Sequence, residues 1–428
     1  MTITVDQSKL ILNAFSAEFQ NNMIAKDLVT WNRYDKEMDD LNGFTVVEQV
    51  GPRFVVTETT DGVKDLTSGV QSMVFGSEQF KVNKTFGASM GWGDWQKIRD
   101  LGSARESIAL KNAATQLAEK IDKYIIGFVA TQSYNWVGSP ANGIDSFGDF
   151  IQGYTRLKEE GVEDSDLRGV LTYQDKEDLG EAVIAFNATD QLATGAFRGG
   201  FDGAIGGIPT MFTQTVPTLT VGTRVAADGN VNGADQDVDY SAVAVSTAPG
   251  RYKTQTLSID GLAAGATVKA GEVFTIANVN AWDNRSQQSL ARAQQFTVVA
   301  DATANGSGEV DLVIYPAMIV QGTSDVNTAH ATVDAAPADT AVVTFVGVAS
   351  TAYKPRFILQ KSAVQVNTAD LIMPATGQAH RQALSKVPLS VRMWKDSTFA
   401  TGEHRVRFDV ALTANVRDRT RIVRINGA

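Results

Sequence analysis

The chain has no cysteine. That excludes a disulfide framework, a thiolate metal site and a cysteine nucleophile, and leaves packing or assembly as the means of stabilisation. Histidine is scarce. His330, His380 and His404 are the only three in 428 residues, and they show no HExxH or HxH spacing, so neither a metal site nor a histidine base is expected. The chain also lacks a GxSxG elbow and a GxxxxGK phosphate loop. Gly200, Gly203 and Gly206 of FRGGFDGAIGGIPT miss the GxGxxG spacing, and a proline follows them where a helix would have to start, so a dinucleotide site is not expected. No run of about 18 apolar residues exists to span a membrane. The start, MTITVDQSKLILNAFSAEF, has no basic segment followed by an apolar one; a soluble protein without a classical export signal is the expectation. Positive charge is short as well. Lys and Arg number 38 against 48 Asp and Glu, a net charge of −10, which argues against a sequence-reading nucleic-acid binder.

What is present is an ordinary globular composition, 43% hydrophobic, long enough for two or three domains. Residues 1–45 mix short apolar-periodic stretches (Leu10, Ala14, Met23, Leu28) with an acidic patch at Glu37, Asp39 and Asp40, which reads as an arm with one or two helices. From Phe44 to Trp92 the pattern turns to β: FTVVEQV and RFVVTETT, the Asp61-Gly62 turn, then QSMVFGS and QFKVNKTF. This predicts a long hairpin, and a lone hairpin is marginal in water, so something outside must hold it.

The clearest helix is SARESIALKNAATQLAEKIDKYIIGFVA (103–130). Ser103 and Glu106 have capping-box spacing, and Leu110, Ala113, Leu117, Ile121, Tyr124 and Phe128 form one apolar stripe over about 40 Å, a structural spine. A helix over 145–161, a strand at GVLTY (169–173) and a helix over 174–186 follow. Residues 217–347 then shift to Val, Thr, Ala, Gly and Asp, with turn signals at 248–250, 263–267, 269–272 and 305–309, and read as a small all-β barrel or sandwich set into the α/β pattern. Alternating strands resume at RFILQKSAVQV (356–366), RVRFDVALTANV (405–416) and RTRIVRI (419–425). The arginines of the last two are expected on a solvated or inter-subunit strand face, with their charges paired.

One stretch imitates a cation loop. DGNVNGADQDVD (228–239) has an acid or amide at positions one, three and five, glycine at six and Asp239 at twelve, the EF-hand frame with Asp in place of Glu. Its flanks, TVPTLTVGTRV and YSAVAVSTA, read as strands, not clasping helices, so a solvated turn between strands is expected.

Several pieces are similar to a known family: DLTSG (65–69), IRDLGSARES (98–107), RGVLTYQDKEDLGEA (168–182), GGFDGAIGGIPT (199–210), VPTLTVGT (216–223), VKAGEVFTIANV (268–279) and QQFTVVADATANGSGEVDLVIYPAM (294–318). In this order they resemble the major coat proteins of tailed phages, in particular the short-tailed Salmonella-phage type with an inserted β domain. The resemblance implies an α+β chain with the Hong Kong phage capsid fold shared with herpesvirus shells. It divides the chain into an N-terminal arm (1–45), an extended loop (46–92), a peripheral domain with the spine helix (93–130), an axial domain begun at 131–216, a telokin-like insertion (217–347) and an axial and peripheral remainder (348–428).

The same resemblance implies a major capsid protein with no enzymatic activity, cofactor, metal or membrane contact. Copies would assemble as hexamers and pentamers in the host bacterial cytoplasm, with a scaffolding protein and a portal, into a virion shell around double-stranded DNA that it does not read. Subunit contacts are expected at Asp61, Lys64 and Asp65 of the extended loop, and at Asp228, Asp235, Asp237 and Asp239, where the family has a loop reaching a neighbouring capsomer. Some relatives join a Lys to an Asn; Lys64 and Asn415 lie in suitable segments, but nothing local supports the reaction. Two alternatives stand beside this reading: a bacterial nanocompartment shell of the same fold, and a calcium-dependent surface or adhesion protein built round the β module.

Overall fold

A computed structural model of the chain describes residues 7–38, 44–55, 71–93, 103–185, 204–224, 229–375, 378–398 and 403–427. The chain forms two compact units, each assembled from separated segments.

The first unit takes Met1–Val46, Phe80–Phe128 and Lys361–Arg417. Its sheet runs in the order Thr30–Met38, Val364–Leu371, Glu403–Val416, Ser390–Thr398, Gln378–Ala383, and Thr85–Gly93 also pairs with Glu403–Val416. Alternation in EHRVRFDVALTANV dictates its central strand: Val406, Phe408, Val410 and Leu412 are buried, while Arg405 and Arg407 turn to Glu403 and Asp409. The helix Gln7–Asn22 covers this sheet with Leu12, Phe15 and Phe19, and the Phe15 and Phe408 rings stack 3.9 Å apart. The spine helix Ser103–Gln132 buries Ala113, Leu117 and Ile121 of its stripe, whereas Leu110, Tyr124 and Phe128 are half-buried and Ile125, outside the stripe, is fully buried. The side chains of Ser103 and Glu106 lie outside the described residues.

Two expectations for this part of the chain change. Beyond its helix the arm forms the strand Thr30–Met38, parallel to Val364–Leu371, instead of a second helix. The hairpin is shorter than 46–92. Phe44–Val50 pairs with Gly76–Val82, whereas Thr85–Gly93 pairs with Glu403–Ala411, because Phe86, Ala88 and Met90 find cross-strand partners in Val410, Phe408 and Val406.

The second unit takes Val47–Gln79, Val129–Gln360 and Asp418–Ala428 and has two separate sheets of six strands. One is mixed, in the order Asn135–Val137, Ile422–Ile425, Arg356–Gln360, Leu167–Leu171, Ile208–Phe212, Ala204–Ile205. The helix Phe147–Glu159, capped by a reciprocal Ser146–Asp149 box, lies on it through Phe150 and Leu157. Gly153 lets the helix sit close, since a Cβ there would run into the Ile425 side chain.

The other sheet is antiparallel, in the order Asn230–Val231, Gln255–Asp260, Val310–Tyr315, Gln288–Val298, Val273–Asp283, Val343–Phe345. It closes round a core that includes Leu257, Ile259, Phe274, Phe296, Leu312 and Ile314, every member of which lies between Val231 and Phe345. The short strands Leu219–Thr220 and Ala352–Tyr353 pair with each other, so the chain enters and leaves this segment at one place. The flanks of DGNVNGADQDVD differ from the expected strands: among the described residues of the first, the strand is Leu219–Thr220, and in the second Tyr240–Val243 is a turn of helix that buries Tyr240 and Val243.

The terminal arginines differ as well. Arg419 and Arg424 are buried, not solvated. Arg424 donates to the Gly271 and Ser133 carbonyls, and Arg421 pairs with Asp418 at 2.9 Å.

Candidate assembly surface

The described arms of the hairpin carry an unusual load for a two-stranded ribbon. Val47, Phe54, Met73 and Phe75 are each between 51% and 65% exposed. An apolar group of this kind on an element without a core of its own marks a surface that a partner covers. The arms are tied together by Gln71, whose amide accepts from Val55 N at 2.9 Å and donates to Val55 O at 2.7 Å.

At its foot the ribbon is clamped. In GSEQFKV the period of two points Gly76, Glu78, Phe80 and Val82 inward. Gly76 presses on the Tyr252 ring, where a Cβ would meet Cε2 at 2.8 Å. Ser77 donates its amide to Ala244 O at 2.8 Å and accepts from Ser246 N at 2.9 Å, and Gln79 donates to Ser246 O at 2.8 Å. Glu78 is the keystone. Its two oxygens accept the amides of Gly250 (2.9 Å) and Tyr252 (3.1 Å), and burial lifts its pKa to about 7 against the pull of those bonds and of Arg419.

Buried polar groups surround this clamp. Arg419 donates to Gly250 O and to Gln132 Oε1, both at 2.9 Å, and lies 4.6 Å from the centre of the Tyr315 ring. Burial brings Lys253 down to about 8, with the charge of Arg53 acting in the same direction. His330 stacks on Tyr240 at 3.5 Å, and burial lowers it to about 3, so it is a neutral packing ring at physiological pH. The Tyr240 and Tyr252 hydroxyls meet at 3.0 Å. The cluster holds no nucleophile aligned with a base. What it can do is fix the ribbon's foot. Glu78 was legible in principle, as a lone carboxylate on the inward face of an alternating strand; Lys253 and Arg419 carry no such sequence signal.

Of the sequence-derived contact residues, the described part of the chain includes Asp235, Asp237 and Asp239. Asp61, Lys64, Asp65 and Asp228 lie outside the described residues. Asp235 is exposed with φ +55°, and its amide donates to Pro337 O at 3.1 Å; Asp237 is half-buried; Asp239 accepts from Asn327 Nδ2 at 2.5 Å. The stretch is a strap laid along a strand instead of a loop wrapped round a point: Asn230 pairs with Asp260, and the Asn232 amide donates to Ser258 O at 3.0 Å. Gln236 fastens it, donating to Ser258 O at 3.0 Å and accepting from Ser258 N at 2.8 Å. Among the described residues no three His, Asp or Glu stand together as cation ligands. Asn415 is engaged with Lys81 and Thr413 backbone atoms.

A family model described as "P22 coat protein - gene protein 5" matches residues 5–421. No curated protein matches the chain. Similar solved structures include a chain from Mycobacterium phage Che8 (10% identity, TM-score 0.43, covering 90% of this chain and 84% of that one). The mature capsid of bacteriophage PhiM1 is 8% identical, with a TM-score of 0.45 and coverage of 94% and 86%. The capsid of Ralstonia phage GP4 is also 8% identical, with a TM-score of 0.44 and coverage of 96% and 91%. The assignment rests on the family match, not on these distant likenesses.

Proposed function

Because the chain belongs to the P22 coat protein family, we propose that its hairpin is the element by which copies grip one another, held in position by the buried clamp at Glu78. The protein is a bacteriophage major capsid protein of mixed α+β fold; its copies assemble into the icosahedral head shell of the virion. The observation that carries the proposal is the pairing of four exposed apolar side chains with a rigidly bonded foot. No described helix is long and apolar enough to cross a membrane.

The subunit works by packing, not catalysis. Hexamers and pentamers, a scaffolding protein and a portal complete the assembly. The acidic chain encloses double-stranded DNA without adhering to it. Residues 217–347 act as an inserted telokin-like domain; the self-contained core between Val231 and Phe345 and the paired entry and exit strands support this. A shell subunit gives the spine helix and the hairpin a role that a calcium-dependent adhesion protein would leave empty.

Hydrogen exchange tests the reading. Amides of residues 44–55 and 71–75 should exchange quickly in free subunits and be protected in shells, while 76–79 stay protected in both. Equal exchange of 44–55 and 71–75 in both states would sink it.

A further inference from the structure

A cleft of about 400 Å³ in the first unit is lined by Lys84, Thr85, Phe86, Lys120, Lys123 and Tyr124. Residues three and four apart share a helix face, so the spine helix presents Lys120, Lys123 and Tyr124 together. The turn before Thr85–Gly93 adds Lys84, whose Nζ stands 4.4 Å from the centre of the Tyr124 ring. Phe86 packs 5.3 Å from the same ring, which its hydroxyl fixes by accepting from Ala414 N at 3.2 Å. The result is an aromatic floor with three exposed ammonium groups at its rim.

None of these lysines forms an ion pair with a described residue. The unit's arginines behave differently: Arg33 is matched to Asp370, Arg392 and Arg407 to Asp409, and Arg405 to Glu403. Lys120 and Lys123, three apart on one helix face, are like charges, and with Lys84 beside them the cleft offers three cationic donors to an anion from outside.

We propose that this cleft receives a carboxylate of a neighbouring copy of the chain. The proposal rests on the shell reading above. Self-assembly supplies a second copy at every subunit, and each copy carries 48 acidic against 38 basic residues, so what it presents to a cationic cleft is rich in carboxylates. Lysine suits the role, being a flexible point charge that accepts a carboxylate without demanding a fixed fork geometry. DNA phosphate has the same charge, and the experiment must separate the two.

Shells are assembled from an equal mixture of unlabelled and isotopically heavy chain and treated with a water-soluble carbodiimide, which joins a lysine amine to a touching carboxylate with loss of water. Mixed-isotope peptides joining Lys84, Lys120 or Lys123 to an Asp or Glu are expected. Normal shells with only same-copy links at these lysines, or none, overturn the proposal and leave the shell reading standing; no shells at all sinks both. The K84E/K120E/K123E chain should melt as the parent does yet lose assembly, and normal assembly by that variant counts against the site. Lysine acetylation gives the last arm: protection in empty shells is expected, and protection confined to DNA-filled heads assigns the cleft to phosphate and overturns the proposal.

Discussion

Asp122 of the spine helix accepts the backbone amide of Ala25 at 2.9 Å, and that of Ile24 at 2.8 Å, where the N-terminal arm leaves its helix. Burial raises this carboxyl from 3.8 to about 6 although both amides and Lys26 pull it down. The folded state therefore holds the proton more tightly than the unfolded state, and the group's contribution is full below pH 3.8 and lost as pH rises through 6. Asp122→Asn removes the titrating proton but keeps only one accepting oxygen, its NH2 facing the other amide; its melting should lie below the parent's at pH 4 and stay level from pH 4 to pH 7 while the parent's falls. Asp122→Ala strands both amides and should fall about 2 kcal/mol below the Asn variant. Thermal melts of free subunits at the two pH values check the sign.

The clamp under the hairpin gives two opposed slopes. Glu78, raised by burial from 4.5 to about 7, contributes fully below pH 4.5 and loses that contribution as pH rises through 7. Lys253, lowered by burial from 10.5 to about 8 with Arg53 reinforcing and Asp418 opposing, contributes fully above pH 10.5 and loses it as pH falls through 8. These groups together place a shallow stability minimum at about pH 7–8. Glu78→Gln should flatten the acid side of the melting profile and Lys253→Met the alkaline side. A profile that neither variant alters would show that the clamp does not set the subunit's pH response.

Two glycines on neighbouring helices make opposite forecasts for one substitution. Gly153 faces Ile425 with no room for a methyl group, so Gly153→Ala should cost about 1–3 kcal/mol through overpacking. Gly180, in the helix Tyr173–Ala185, has open space where a methyl group would stand, with no atom within 4 Å, so Gly180→Ala should gain up to about 1 kcal/mol from helix propensity. Urea midpoints of the two free variants should move to opposite sides of the parent's.

Much of the fold was legible because local periodicity fixed it. The stripe from Ala113 to Ile121, the turns at Gly250, Gly265, Gly271 and Gly308, and the alternation from Arg405 to Val416 are each written in a short window of sequence. The site was less legible, since it depends on distant partners. Nothing local to Glu78 announces the amides of Gly250 and Tyr252, and nothing near Lys84 announces Lys120. Thr85–Gly93 was read as hairpin for the same reason: alternation identifies a strand but not the strand it pairs with.

The strap at 229–239 separates packing from charge. Its acids suggested either a cation frame or an inter-capsomer contact, but the residue that ties it down is Gln236, whose amide bonds both Ser258 backbone groups and also donates to Asn232 O at 2.8 Å. Gln236→Ala leaves the Ser258 amide unmatched on a half-buried edge, while the Ser258 carbonyl keeps the Asn232 amide, and should cost about 1–3 kcal/mol. Asp235→Asn with Asp237→Asn removes both charges while keeping at 235 a residue that tolerates the left-handed backbone, and should leave subunit melting within about 0.5 kcal/mol of the parent. If these acids meet basic groups on a neighbouring copy, the double variant will fail in shell closure despite its normal melt, because exposed pairs worth about 0–1 kcal/mol each recur at every interface. Calcium and chelator should give the same melt in the parent. A calcium-dependent rise that the double variant abolishes would restore the cation frame, since a ligand that binds only the folded state must stabilise it.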